Sequence, residues 1–187
     1  MGFRATKERV VNLLSGEEPL PAVLMALAAL PRSQVLKSLF AALSHHDQHL
    51  RWRAVRAMGP VVAELAEQDL EAARVVMRRL MWSLNDESGG IGWGAPEAMA
   101  ECLVHHEQLA EEYTHILVSF MREDGFYLEY PPLQQGLMWG LGRLAEVRPQ
   151  LLRRKNALLY LPSYLDSPDH LVRERAARAL ELLTAKG

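Results

Sequence analysis

The feature that most constrains this chain is an internal repeat of about forty residues. Asp47, Leu50, Arg51, Ala54, Ala57 and Met58 align with Asp169, Val172, Arg173, Ala176, Ala179 and Leu180, and both stretches read D-x-x-V/L-R-x-x-A-x-x-A-L/M. Two looser copies lie between them. One begins at Ser88 and carries Ile91, Gly92, Ala95, Ala98 and Met99; the other begins at Tyr130 and carries Leu133, Gln134, Leu137, Gly140 and Leu141. The copies start at 47, 88, 130 and 169, in steps of 41, 42 and 39 residues. Each step has room for the motif helix and one further helix, so the unit is a helix pair. One pair cannot bury its apolar face alone, and successive pairs must therefore stack.

The rest of the sequence agrees with helices throughout. Apolar residues recur at helical spacing, and alternation with a period of two is nowhere sustained. The spacing predicts helices over 6–14, 21–30, 33–43, 49–67, 69–84, 95–105, 108–122, 132–146, 155–165 and 171–185. Breakers separate them: Pro19, Pro31, the glycines from Gly89 to Gly94, Gly125, Pro131, Pro149 and Pro168. The chain of 187 residues, 49% hydrophobic and 24% charged, suits one all-α domain with a sizeable core. Cys102 is the only cysteine, which excludes an intrachain disulfide. No apolar run approaches the ~20 residues of a membrane span, so the expectation is a cytoplasmic protein with no membrane partner. A net charge of −2 argues against a dedicated nucleic-acid binder.

The motif resembles the second helix of HEAT repeats and of phycobilisome-lyase-type HEAT-like repeats. The resemblance covers roughly 33–187 and implies a right-handed α-solenoid of about four helix pairs, with residues 1–32 as an N-terminal helical cap. It further implies a hydrogen-bond ladder between repeats, to which Asp47, Arg51, Asp169 and Arg173 correspond. The central copies, with Ser88, Gly92, Tyr130 and Gln134 at those positions, should interrupt it. Second helices of such solenoids line the concave side, so equivalent motif positions should form columns across that face.

Two columns single out a candidate site. One is Arg56, Glu97, Trp139 and Arg178; the other, one turn earlier, is Arg53, Gly94, Gly136 and Arg175. Glycine thus stands in the central copies where the outer copies carry arginine. The expected groove has Trp93, Trp139, Tyr127 and Tyr130 as aromatic walls, Glu97 and Glu101 as acids, and the arginines at its ends. Simple pairing of Glu97 with Arg56 and of Glu101 with Arg143 is the structural alternative.

Residues 91–130 carry a charge of −7, which as a docking patch would suit a basic protein or peptide. No dinucleotide fingerprint or P-loop is present, since Gly90, Gly92 and Gly94 follow no strand and no Gly-Lys-Ser/Thr occurs. The clusters His45, His46, His49 and His105, His106 each begin at an expected helix C-terminus, where the dipole favours imidazole, so neither a metal nor another cofactor is implied. No catalytic constellation emerges. The expected function is non-enzymatic, a scaffold holding a protein or peptide partner. Some HEAT-like proteins are DNA-repair glycosylases with aromatic, acidic and basic groups in a groove, and others are bilin lyases; these are the alternative readings.

Overall fold

A computed structural model describes residues 2–185. Among them are eleven α-helices and no strand. The helices are α1 (Phe3–Ser15), α2 (Leu20–Ala28), α3 (Arg32–Leu43), α4 (Gln48–Gln68), α5 (Leu70–Ser83), α6 (Ala95–His105), α7 (Glu107–Ser119), α8 (Pro131–Val147), α9 (Pro149–Arg154), α10 (Ala157–Tyr160) and α11 (His170–Thr184). The four motif copies form α4, α6, α8 and α11, which stack side by side in that order. The intervening helices pack behind this row: α3 on α4, α5 between α4 and α6, α7 on α6, and the segment 149–166 behind α8 and α11. The chain is an all-α solenoid. Among the described residues no helix is long and apolar enough to cross a membrane.

Small residues bring the inner row together. Ala54, Ala57, Ala98, Ala176 and Ala179 are fully buried, and Leu50, Leu137 and Val172 fill the seams between them. Gly59 shows how close the helices come. A Cβ there would lie 2.6 Å from the Glu101 carbonyl oxygen of α6. Gly94 has a different reason. It caps α6 at φ +71°, a left-handed backbone that glycine adopts without steric cost.

The aspartates of the motif do not form the expected ladder. Asp47 accepts from the Leu50 amide at 3.2 Å and caps α4. Asp169 caps α11 through the amides of Leu171 and Val172. Arg173 donates to the Ser167 and Pro168 carbonyls of its own loop, and Arg51 stands 6.0 Å over the Trp93 ring. Of the two aspartates, among the described residues only Asp169 reaches the neighbouring repeat, where it accepts from Gln135 Nε2 at 2.7 Å. The physical reason is local: an aspartate just before a helix satisfies the free amides of the first turn, and that use competes with longer contacts.

The last repeat also differs from expectation. Instead of one helix over 155–165, α9 ends before Asn156, which is left-handed at φ 61°. The short α10 follows, and a 3-10 stretch, Leu161–Asp166, completes the connection to α11.

Candidate functional site

Helices α4 and α8 meet above α6, which lies between them. Trp52 of α4 and Trp139 of α8 pack edge to face with ring centroids 4.5 Å apart. Neighbouring packed helices lie ~8–10 Å apart, so side chains two helices apart touch only if the row curls toward that side. This is the concave face. Trp52 is 40% exposed, whereas Trp139 is half-buried against the core.

One turn further along, the same two helices close over Glu101 of α6. Arg56 of α4 places Nη1 3.5 Å from Glu101 Oε1, and Arg143 of α8 places Nε 3.2 Å from the same oxygen. His105 Nε2 lies 3.3 Å from Oε2, within ion-pair range but without the alignment of a hydrogen bond. The Glu101 side chain is fully buried beneath these groups. Burial pushes its carboxyl upward, but His105, Arg56 and Arg143 together outweigh that and hold it below the ordinary value. Arg143 therefore meets Glu101, as simple pairing anticipates. Arg56 also reaches Glu101, not Glu97, one turn beyond the position equivalent to its own.

A cleft of about 950 Å³ opens beside the tryptophans. Trp52 and Arg56 form one wall, and α8 supplies Met138, Trp139, Gly142, Arg143 and Glu146. The far wall is α11, with Glu174, Arg175, Ala177, Arg178 and Glu181. Of the residues singled out from the repeat columns, the structure brings Arg56, Trp139, Arg143, Arg175 and Arg178 into this one cleft. Arg53 turns away to the Glu18 carbonyl at 2.6 Å.

The other aromatic residues lie elsewhere. Trp93 packs edge to face with Tyr130, centroids 5.8 Å apart, and borders a hollow with Phe40 and Ile91. Tyr127 accepts from Gln134 Nε2 at 3.2 Å and lines two further hollows outside the tryptophan cleft.

The two glycines leave no depression. A Cβ at Gly136 would lie 2.5 Å from the Glu97 carboxylate, so Glu97 fills that space. Gly94 is buried against Leu43 and Val55. Burial raises the Glu97 carboxyl, while the charges of Arg175 and Arg51 pull the other way. Among the described residues no cation closes to an ion pair with it.

Sequence reasoning missed Trp52, which occupies a variable position of the motif. Its signal was present: Trp52 and Arg56 stand four residues apart, as do Trp139 and Arg143, so each pair shares one helical face. The acids Glu146, Glu174 and Glu181 were missed as well. The histidines are used locally. His45 and His46 rings stack at 4.2 Å, and His106 caps α7 through the Leu109 amide. Among the described residues no group of three or more His, Cys, Asp or Glu side chains is placed to hold a metal ion.

Comparison with known proteins places the fold and little more. No model of a known protein family matches the chain. A stretch of 109 residues is 32% identical to an uncharacterized protein of Archaeoglobus fulgidus, taking in 58% of this chain and 53% of that one. The chain thus spans about half the length of that relative. A designed armadillo repeat protein in complex with the peptide (KR)4 is similar in structure, with a TM-score of 0.51 at 18% identity over 94% of this chain and 80% of that chain. An engineered protein gives a TM-score of 0.52 at 20% identity, over 95% and 80%. The chain has a HEAT/armadillo-like repeat fold.

Proposed function

We propose that this chain is a non-enzymatic binding scaffold that holds a segment of a protein or peptide partner in its concave cleft. The observation that carries the reading is the Trp52–Trp139 pair. A large aromatic surface, 40% exposed at Trp52, borders a concave cleft. Aromatic anchors flanked by arginine are the residues that dominate binding energies at protein interfaces. Mixed charges around them suit a peptide, whose backbone offers both donors and acceptors. The similar designed protein with its bound peptide is an analogy for this use of the fold.

An array of short synthetic peptides with acidic, neutral and basic sequences tests the reading, probed with the wild type and with Trp52→Ala. Trp52 is the better probe because Trp139 also packs on the core, and its loss would confound binding with stability. Reproducible peptide binding that Trp52→Ala abolishes, with unchanged thermal unfolding, is the expected result. No binding by the wild type, or the same bound set with Trp52→Ala, overturns it.

A further inference from the structure

We infer that the partner segment is acidic: the cleft receives a carboxylate side chain on Arg56 and Arg143 while an adjacent apolar or aromatic residue lies against Trp52 and Trp139. This rests on the peptide-binding reading and names its chemistry.

The argument begins with what the cleft presents. Glu101 is covered completely, so the surface above it is made by the two guanidinium groups and carries their donors. Among the described residues Arg56 ion-pairs with Glu101 alone, through Nη1 at 3.5 Å. Its other donors remain for a ligand, and Arg143, whose Nε and Nη1 serve Glu101 and Glu146, adds Nη2. Glu101 is a positioning residue here. It anchors two long side chains from helices on either side of its own, so less side-chain entropy is lost when a ligand arrives. The planar fork of arginine matches a carboxylate and can bind it through two hydrogen bonds.

The acids that line the cleft weaken this surface less than their number suggests. Glu146 is tied to Arg143 and Glu181 to Arg178, each three residues away on its own helix. Glu174 is the remaining carboxylate of the lining, and Arg175 adds a further cation to the same wall.

The contrary case, a basic partner, loses its motive in the folded chain. Four of the eight acids in residues 91–130 are taken up by internal pairs. Glu101 lies under Arg56 and Arg143, Glu111 pairs with Arg154, Glu112 with Arg74, and Asp124 with Arg122.

Calorimetric titration of the full chain with three peptides tests the inference. They share one Trp-containing apolar core and differ only in flanking Glu, Gln or Lys; an oligothymidine of similar length is the fourth probe. The Glu-flanked peptide should bind at least about tenfold more tightly than the Gln-flanked one, the worth of one charged hydrogen-bonded contact. Arg56→Gln should weaken the Glu-flanked peptide far more than the Gln-flanked one and so remove that preference. Glu101→Gln, if it folds, should narrow the same ratio, a change that a merely structural role would not produce. Equal or tighter binding of the Gln- or Lys-flanked peptide overturns the acidic assignment and leaves the peptide reading standing. Tighter binding of the oligothymidine replaces it with single-stranded nucleic acid. Failure of all three peptides removes both readings.

Discussion

Glu97 and Glu101 lie one turn apart on α6 and meet opposite electrostatic fates. Glu101 is buried among His105, Arg56 and Arg143, and its carboxyl is held below the ordinary value. It therefore contributes stability that is present above the unfolded carboxyl range and is lost as pH falls through its lowered folded value. Glu97 is desolvated without an ion pair, and its carboxyl is raised. Its native state prefers the proton, so stability falls as pH rises from the ordinary carboxyl value through the raised one, and the full cost is present above it. Chemical denaturation at pH 7 should show Glu101→Gln lowering stability by about 1–3 kcal/mol, since two partly exposed arginines lose a buried counter-charge. Glu97→Gln should hold or raise stability at pH 7, with the difference disappearing in acid. Equal effects of the two substitutions would refute this account. The sequence placed both acids in one expected groove. It could not separate them, because the cations that cover Glu101 arrive from residues 56 and 143, far away along the chain.

The inner helices were legible because the repeat fixes them: each motif copy is a helix, and small residues recur where helices touch. What the pattern could not give is the meaning of each glycine. Gly59 and Gly136 both sit in inner helices, yet their neighbours differ. A Cβ at Gly59 would meet the backbone of α6, at 2.6 Å from the Glu101 carbonyl oxygen. Backbone cannot step aside without moving the whole helix, so Gly59→Ala should cost roughly 2–3 kcal/mol. A Cβ at Gly136 would meet only the end of the Glu97 side chain, which can rotate away. Alanine also gains about 0.5–1 kcal/mol of helix preference over glycine, so Gly136→Ala should be close to neutral. Urea midpoints of the two variants decide the point, and a larger loss at Gly136 would contradict it. The caps follow local rules too. Asp169→Ala removes two amide contacts to α11 and one to Gln135, and should cost about 1 kcal/mol. The segment 155–165 escaped the sequence reading for a related reason. Its apolar residues suit a helix, but Asn156 in the left-handed region and Pro162 break the chain into shorter turns.

At the scale of the whole molecule, the uneven charge of the sequence is redistributed by folding. Read linearly, the centre is acidic and the last third basic; in space, arginines from α4, α8 and α11 stand around the concave cleft while half of the acids of residues 91–130 are paired. Four arginines in a concavity raise the question of a nucleic-acid track. Binding to duplex DNA draws its affinity from many phosphate contacts and released counterions, and needs cations spaced along a continuous path. Here the arginines alternate with Glu146, Glu174 and Glu181 around a single cleft. Arg53, which would extend the row at its outer end, is turned to the Glu18 carbonyl. The net charge of −2 adds no long-range attraction. Gel-shift titration at physiological salt should therefore show no appreciable binding of a mixed-sequence duplex, and Arg178→Gln should change nothing in that assay. Tight binding that falls steeply with added salt and weakens in Arg178→Gln would mean that the cleft follows phosphates, and the scaffold reading would have to be replaced.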